Sequence, residues 1–296
     1  MKKINSILIL GASGFIGKII YHYLKNRVNE FNLYGSCFRN KNVPNLIQIN
    51  LLNKIKAESL ICNLQPNYII HLVGNKSVLG CQKDFSTAYD INVNTLRNVI
   101  TSIKKNKLAT KLIFFSSDYV FNGLSGYYQP NSKRFPRTNY GKTKKIAEDL
   151  LINSNIDYKI IRTSAVLGRG SNFYDWFMEN ANKVPSIKLY NNIYFTPTPI
   201  NFLAESTYKI IINYQYIKNK VLHVVSKKRL TRYQLGLIFK KYIKCKAQLK
   251  SISISLKNSL FQKDLSIIQS DYIAKLQKKT FNQYLYKYLI ENEKIS

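Results

Sequence analysis

The feature that most constrains the fold of this 296-residue chain is an alternation of two periodicities, punctuated first by the turn Gly11-Ala12-Ser13-Gly14-Phe15-Ile16-Gly17. Residues 7–10 (Ile-Leu-Ile-Leu) are apolar throughout, as a strand buried on both faces must be. Residues 15–24 place Phe15, Ile16, Ile19, Ile20 and Tyr23 on one helical face. Between them, Gly11 permits a tight turn, Gly14 lets backbone approach a ligand closely, and Gly17 allows helix and strand to touch. The helix that follows opens with unpaired N–H groups suited to a phosphate. Strand, glycine turn and helix in that order fit a dinucleotide-binding unit.

The rhythm continues. Strands are expected at residues 31–38, 46–49, 68–73, 111–115 and 158–161, with helices at 87–105 and 139–153. Alternation of this kind implies an α/β fold, a doubly wound parallel (Rossmann) sheet. After residue 167 the pattern loosens: helices at 174–181, 202–212 and 231–243, the last with Thr231 as a cap, and a strand at 221–225. We therefore expect a dinucleotide-binding domain over residues 1–165. Residues 166–296 form a smaller C-terminal α/β substrate-binding part packed on it, with elements free to interleave.

Three groups downstream of the glycine turn can carry chemistry. Ser117 ends the strand expected at 111–115, and Tyr140 and Lys144 share one face of the next helix at i and i+4. A serine hydroxyl can donate to a carbonyl oxygen that gains charge, and a phenol can protonate it. The phenol's ordinary pKa of about 10 needs tuning, and a nearby ammonium would lower it. Together these residues suit reduction of a carbonyl by a nicotinamide. The end of the second strand bears on which nicotinamide. Between residues 31 and 50 there is no Asp or Glu to hold a ribose 2′-hydroxyl; Arg39 stands there instead, with Lys41 close by. A cation at that place pairs with a 2′-phosphate, so NADPH (NADP) is the expected cofactor. The expected cofactor-binding set is Gly11, Ser13, Gly14, Phe15, Ile16, Gly17, Arg39, Leu72, Val73, Gly74, Tyr140 and Lys144.

Charge and cysteine usage narrow the remaining classes. The formal net charge is +31, but the lysines are spread along the chain and keep company with abundant Asn and Ile. Genome base composition acting on a solvated surface accounts for that better than a nucleic-acid partner, for which no binding motif is present. A basic surface also suits diphosphate-bearing ligands. The four cysteines (Cys37, Cys62, Cys81, Cys245) have neither Cys-x-x-Cys spacing nor a histidine pair beside them, so no metal site is expected. The apolar run at 7–10 is too short for a signal-peptide core, and no stretch approaches the roughly 20 apolar residues of a membrane span. A cytoplasmic location is expected. His71 and His223 read as strand residues, Trp176 as core or lid, and Asp118 as a turn residue supporting Ser117.

With these motifs in place, the chain resembles the extended short-chain dehydrogenase/reductases, and within them the dTDP-4-dehydrorhamnose reductase family. Phe115-Ser116-Ser117-Asp118-Tyr119-Val120-Phe121-Asn122-Gly123 is similar to that family's Ser-Thr-Asp-Tyr-Val-Phe-Asp-Gly signature. Tyr140-Gly141-Lys142-Thr143-Lys144 with Ala147-Glu148 resembles its active-site helix. Ile161-Arg162-Thr163-Ser164, Gly170-Ser171-Asn172-Phe173 and Leu222-His223-Val224-Val225-Ser226 extend the likeness over nearly the whole chain. The resemblance implies reduction of a 4-keto group on a nucleotide-linked deoxysugar, with Ser117, Tyr140 and Lys144 catalytic, Tyr140 giving the proton and Lys144 also contacting the nicotinamide ribose. It leaves a homodimer open. Two departures stand out: Ala165 where relatives carry an aromatic, and Asn50-Leu51-Leu52-Asn53 where they carry an acid-x-x-acid run. The alternatives are an epimerase or dehydratase on the same scaffold, and a non-catalytic NADP-binding regulatory subunit.

Overall fold

The computed structural model describes residues 6–27, 31–39, 43–257 and 259–293. Its centre is a seven-stranded parallel sheet built from β1 (Ser6–Leu10), β2 (Asn32–Cys37), β3 (Ile47–Gln48), β4 (Tyr68–His71), β5 (Lys111–Ser117), β6 (Tyr158–Thr163) and β7 (Val221–His223). The spatial order is β7-β6-β5-β4-β1-β2-β3, with Leu10 opposite His71, His71 opposite Phe114 and Ser117 opposite Thr163. The order reverses between β1 and β4. At such a point the two adjacent connections leave to opposite faces and open a crevice at the carboxyl ends of the strands.

Strand periodicity divides the core in two. Ile7, Ile9, Ile70, Ile113 and Ile161 face the layer made by α1 (Phe15–Lys25) and the later helix at Ile200–Ile212. Leu8, Leu10, Ile69, Leu112 and Ile160 face the opposite layer. That layer holds α2 (Lys54–Leu64), α5 (Thr95–Lys105) and α6 (Asn139–Ile152). Both faces are apolar because both are covered, which is why the strands read as unbroken hydrophobic runs.

Several elements differ from the sequence-based expectation. α2 was not expected: its apolar positions form no stripe, although Asn53 caps it by accepting from the Lys56 amide at 3.0 Å. The helix expected over 87–105 is instead composite. α3 (Val78–Lys83) and α4 (Phe85–Tyr89) precede it, and a π-turn at Asp90–Asn94 separates α4 from α5. β4 stops at His71, leaving Leu72 and Val73 to the loop.

The remaining elements are α7 (Asn172–Asn180), α8 (Ile200–Ile212), α9 (Arg232–Tyr242), α10 (Asp271–Leu276), α11 (Phe281–Glu293) and three two-stranded pairs. Phe177, Leu189, Leu235, Phe239 and Leu285 form their own core. α9 begins with a full capping box, Thr231 accepting from the Gln234 amide while Gln234 accepts from Thr231. α8 and β7 return to the central sheet, so this half of the chain serves both layers. Trp176 is 43% exposed on α7 and is not a core residue: the buried face of that helix presents Tyr174 and Phe177 instead.

Candidate active site

The crevice at the carboxyl edge is a cleft of about 440 Å³. The glycine turn, the loop after β4, the end of β5, α6 and the loop after β6 all open onto it. Gly11 adopts φ +87°, a left-handed conformation that favours glycine. A Cβ on Gly17 would stand 2.1 Å from the Gly11 carbonyl oxygen, so helix and strand approach here as only glycine permits. No side chain caps the first turn of α1, and Gly14, Phe15, Ile16 and Gly17 at its start line the cleft. This cradle fits a dinucleotide pyrophosphate.

Ser117, Tyr140 and Lys144 converge on the same cleft. Two contacts hold α6 in register with the end of β5. A Cβ on Gly141 would lie 2.1 Å from the Tyr119 carbonyl oxygen, so the start of α6 rests directly on the turn after β5. Deeper in the same helix, Glu148 is fully buried and takes two bonds from Arg162 of β6, at 2.9 and 2.7 Å. A buried, doubly bonded pair of this kind fixes the roll of a helix, because rotation would strand both charges.

The electrostatics depart from the expectation that the Lys144 ammonium tunes the Tyr140 phenol. Burial pushes the phenol above its ordinary pKa, and the neighbouring Ser117 hydroxyl is what pulls it back. The Lys144 Nζ points elsewhere: it donates to the Phe115 carbonyl at 2.9 Å and lies 4.8 Å from the centre of the Phe114 ring. Burial also lowers Lys144 to about 8, against the charge of Glu148, which raises it. The ammonium is thus anchored at the cleft wall by a backbone acceptor.

Asp118 proves more than a turn residue. Ser117 donates to its Oδ1 at 2.7 Å and Ser164 to its Oδ2 at 2.5 Å. Burial raises its carboxyl to about 6, opposed by the bonds from the two serines. Asn92 is a second residue the sequence did not single out. Its Oδ1 accepts the Asn75 amide at 2.6 Å, and its Nδ2 donates to Thr143 Oγ1 on α6 at 2.9 Å. It thereby ties the loop after β4 to the helix that carries Tyr140 and Lys144. It sits on the π-turn, and nothing in an unbroken helical pattern signals such a turn.

The expected cofactor set is gathered unevenly. Gly11, Gly14, Phe15, Ile16, Gly17, Leu72, Gly74, Tyr140 and Lys144 line the cleft. Val73 turns into the core layer under α2 and α5, and Ser13 lies outside the lining. Arg39 is exposed just past β2, its guanidinium 5.0 Å from the centre of the exposed Phe38 ring. Lys41 lies outside the described residues. His71 is buried beneath the cleft, where burial holds it neutral with a pKa of about 3.

A doubly wound parallel sheet with a glycine turn and a Ser/Tyr/Lys set at its carboxyl edge defines an extended short-chain dehydrogenase/reductase fold. More narrowly, the chain belongs to the family described as the RmlD substrate binding domain, whose model matches residues 5–273. The spore coat polysaccharide biosynthesis protein SpsK of Bacillus subtilis is 27% identical over 208 residues, 70% of this chain and 69% of SpsK. The methionine adenosyltransferase 2 subunit beta of Xenopus tropicalis is 30% identical over 167 residues. That match covers 54% of this chain and 47% of the subunit, so the chain aligns with about half of that relative's length. In three dimensions, the dTDP-4-dehydrorhamnose reductase of Bacillus anthracis, solved in complex with NADP, superposes with a TM-score of 0.84 at 23% identity. The match covers 97% of this chain and 99% of that one. The UDP-glucose 4-epimerase of Thermus thermophilus, solved with NAD, gives 0.79 at 15% identity, covering 96% and 97%. Among the described residues, no helix is long and apolar enough to cross a membrane.

Proposed function

We propose that this protein is an NADPH-dependent reductase of the 4-keto group of a nucleotide-linked deoxysugar, akin to dTDP-4-dehydrorhamnose reductase, with Tyr140 as proton donor. The observation that carries the reading is the convergence of Ser117, Tyr140 and Lys144 on one cleft with the glycine turn. The NADP complex of the B. anthracis reductase supports the choice of cofactor, as does Arg39 at the end of β2.

NADPH, when bound, supplies the hydride. Gly11, Gly14 and Gly17 would hold its pyrophosphate at the start of α1, and Arg39 would pair with the 2′-phosphate. Gly74 and Leu72 border the cleft beside Lys144. Tyr140 gives its phenolic proton to the sugar oxygen as that oxygen gains charge. Ser117 holds the same oxygen in place. Lys144, at the cleft wall, would contact the nicotinamide ribose.

The test is loss of NADPH absorbance with purified protein and a panel of nucleotide-linked 4-keto-6-deoxysugars, dTDP-linked first. Tyr140→Phe is expected to lower turnover by about 10²–10⁴-fold, the range of general acid catalysis, while NADPH binding persists. Full activity in that variant would sink the assignment. The likeness to methionine adenosyltransferase 2 subunit beta favours one second reading, a regulatory subunit. It would show itself as tight NADPH binding with no turnover on any sugar.

A further inference from the structure

Lys76 links two loops that both open onto the cleft. Its Nζ donates to the Gly170 carbonyl at 2.9 Å and lies 5.0 Å from the centre of the Phe15 ring. Lys76 follows β4, Gly170 lies between β6 and α7, and Phe15 is the first residue of α1. Both ends of the link are firmly mounted. On one side of Lys76 the Asn75 amide donates to Asn92 at 2.6 Å; on the other, Ser77 caps α3 by accepting from the Gly80 amide at 2.9 Å. The Gly170 amide donates to both carboxylate oxygens of Asp175, at 3.0 and 2.9 Å. A Cβ on Gly170 would stand 2.9 Å from the Phe15 ring, so that loop rests directly on the ring.

Charge gives this link a use. Among the described residues, Lys76 and Lys144 are the only cationic side chains that line the cleft. Lys144 belongs to the Ser117 and Tyr140 set on α6, whereas Lys76 has no part in it. None of the ion pairs among the described residues includes Lys76. An ammonium carries three donors and no acceptor. One goes to Gly170, and no other hydrogen bond among the described residues uses the remaining two. A dinucleotide pyrophosphate brings two negative charges to the glycine turn. The start of a helix answers them with about half an elementary charge. Backbone donors alone therefore leave most of that charge unmatched.

We propose that Lys76 is a cofactor-binding residue: its ammonium pairs with the pyrophosphate of NADPH while keeping the Gly170 carbonyl, and so straps the two loops over the bound dinucleotide. The inference rests on the cofactor reading above and needs no reduction of a sugar. The glycine turn supplies backbone donors, and the strap supplies the charge they lack. Asn92, the Ser77 cap and Asp175 already fix the two loops. Binding therefore orders little beyond the lysine stem itself. A strap mounted in this way holds the cofactor in place without reshaping the cleft, so its effect falls on dissociation more than on association.

The decisive variant is Lys76→Met, which keeps an apolar stem against Phe15 and removes the charge; the position is exposed, so the fold is retained. NADPH binding to the full chain, read by cofactor fluorescence with no sugar present, should weaken by about 5–30-fold. That is the loss of one charge-assisted bond at an exposed place. Stopped-flow mixing should assign most of the change to faster dissociation. The difference between the two proteins should shrink at about 1 M salt, where charges are screened within about 3 Å. Adenosine 2′-phosphate has no pyrophosphate and should bind both proteins alike. Lys76→Arg keeps the charge and the donors and should bind NADPH nearly as the native chain does. Unchanged NADPH affinity in Lys76→Met overturns the proposal. If dTDP then binds the NADPH-loaded variant more weakly than the native holoenzyme, the lysine serves the substrate's diphosphate instead. An equal loss for adenosine 2′-phosphate would place Lys76 at the other end of the cofactor, and overturns the proposal too. So do association and dissociation that quicken together at a constant Kd, the mark of a gate with no phosphate contact. A native chain that binds no NADPH refutes the cofactor reading itself, whereas failure of the strap alone leaves native binding intact.

Discussion

Lys144 is the place where catalysis and stability conflict most plainly. It is 7% exposed, and its pKa drops from an ordinary 10.5 to about 8, chiefly through burial. At about 1.4 kcal/mol per pH unit, holding that charge in the folded cleft costs about 3 kcal/mol near neutrality. Lys144→Met removes the charge and keeps most of the apolar stem, but it leaves the Phe115 carbonyl without its 2.9 Å donor. Loss of that bond returns about 1–2 kcal/mol of the gain. The variant should therefore be more stable than the native chain by about 1–2 kcal/mol near neutrality, melting a few degrees higher, while losing turnover.

The sign of the pH dependence follows from the depressed pKa. Between about 8 and 10.5 the unfolded chain binds a proton that the folded chain does not, so native stability attributable to this group rises with pH across that window. It is fully present above 10.5 and lost as pH falls through 8. Urea melts of both proteins, near neutrality and near pH 10.5, isolate most of the effect, because the other titrating groups are shared; Cys81, whose thiol burial raises and the Lys144 charge lowers, is one that does not fully cancel. The difference should move by about 3 kcal/mol toward the native chain on raising the pH. A difference that stays constant across the window would refute the reasoning, since it would mean that Lys144 is solvated or neutral already.

Two further outcomes test the cofactor cradle. Gly17→Ala drives a Cβ to 2.1 Å from the Gly11 carbonyl oxygen and 3.0 Å from the Ala12 Cα. It should cost about 1–3 kcal/mol of stability and weaken NADPH by at least tenfold, read by thermal melting and cofactor fluorescence; native binding would show that the turn does not hold the pyrophosphate. Arg39→Asp should erode the preference for NADPH over NADH by about 10–100-fold. A charge-assisted bond to phosphate contributes about 1.5–3 kcal/mol, and about 1.4 kcal/mol is tenfold. Equal ratios of the two dissociation constants before and after the change would remove Arg39 from the site.

What the sequence determined by itself is what repeats locally. The short unbroken apolar runs and the helical patterns between them specify the sheet strands and α1, α5 and α6. The glycine spacing specifies the first turn. Tyr140 and Lys144 share a helical face by geometry alone, and the Thr231 cap was legible from residue types. α2 was missed because its helix is held by packing and an Asn53 cap and not by a stripe. The π-turn that places Asn92 between Asn75 and Thr143 was also missed, since one extra residue in a helical turn leaves no mark in composition.

Tertiary structure alone decided the direction and environment of the reactive groups. The Lys144 ammonium points to the Phe115 carbonyl and not to the phenol. Asp118 faces two serines, one of them 46 residues away. Arg162 meets Glu148 across the α6–β6 contact. A side chain's pKa and partner depend on what surrounds it in space. Those neighbours come from distant segments that the parallel sheet brings to one edge, where no periodicity in the chain records their meeting.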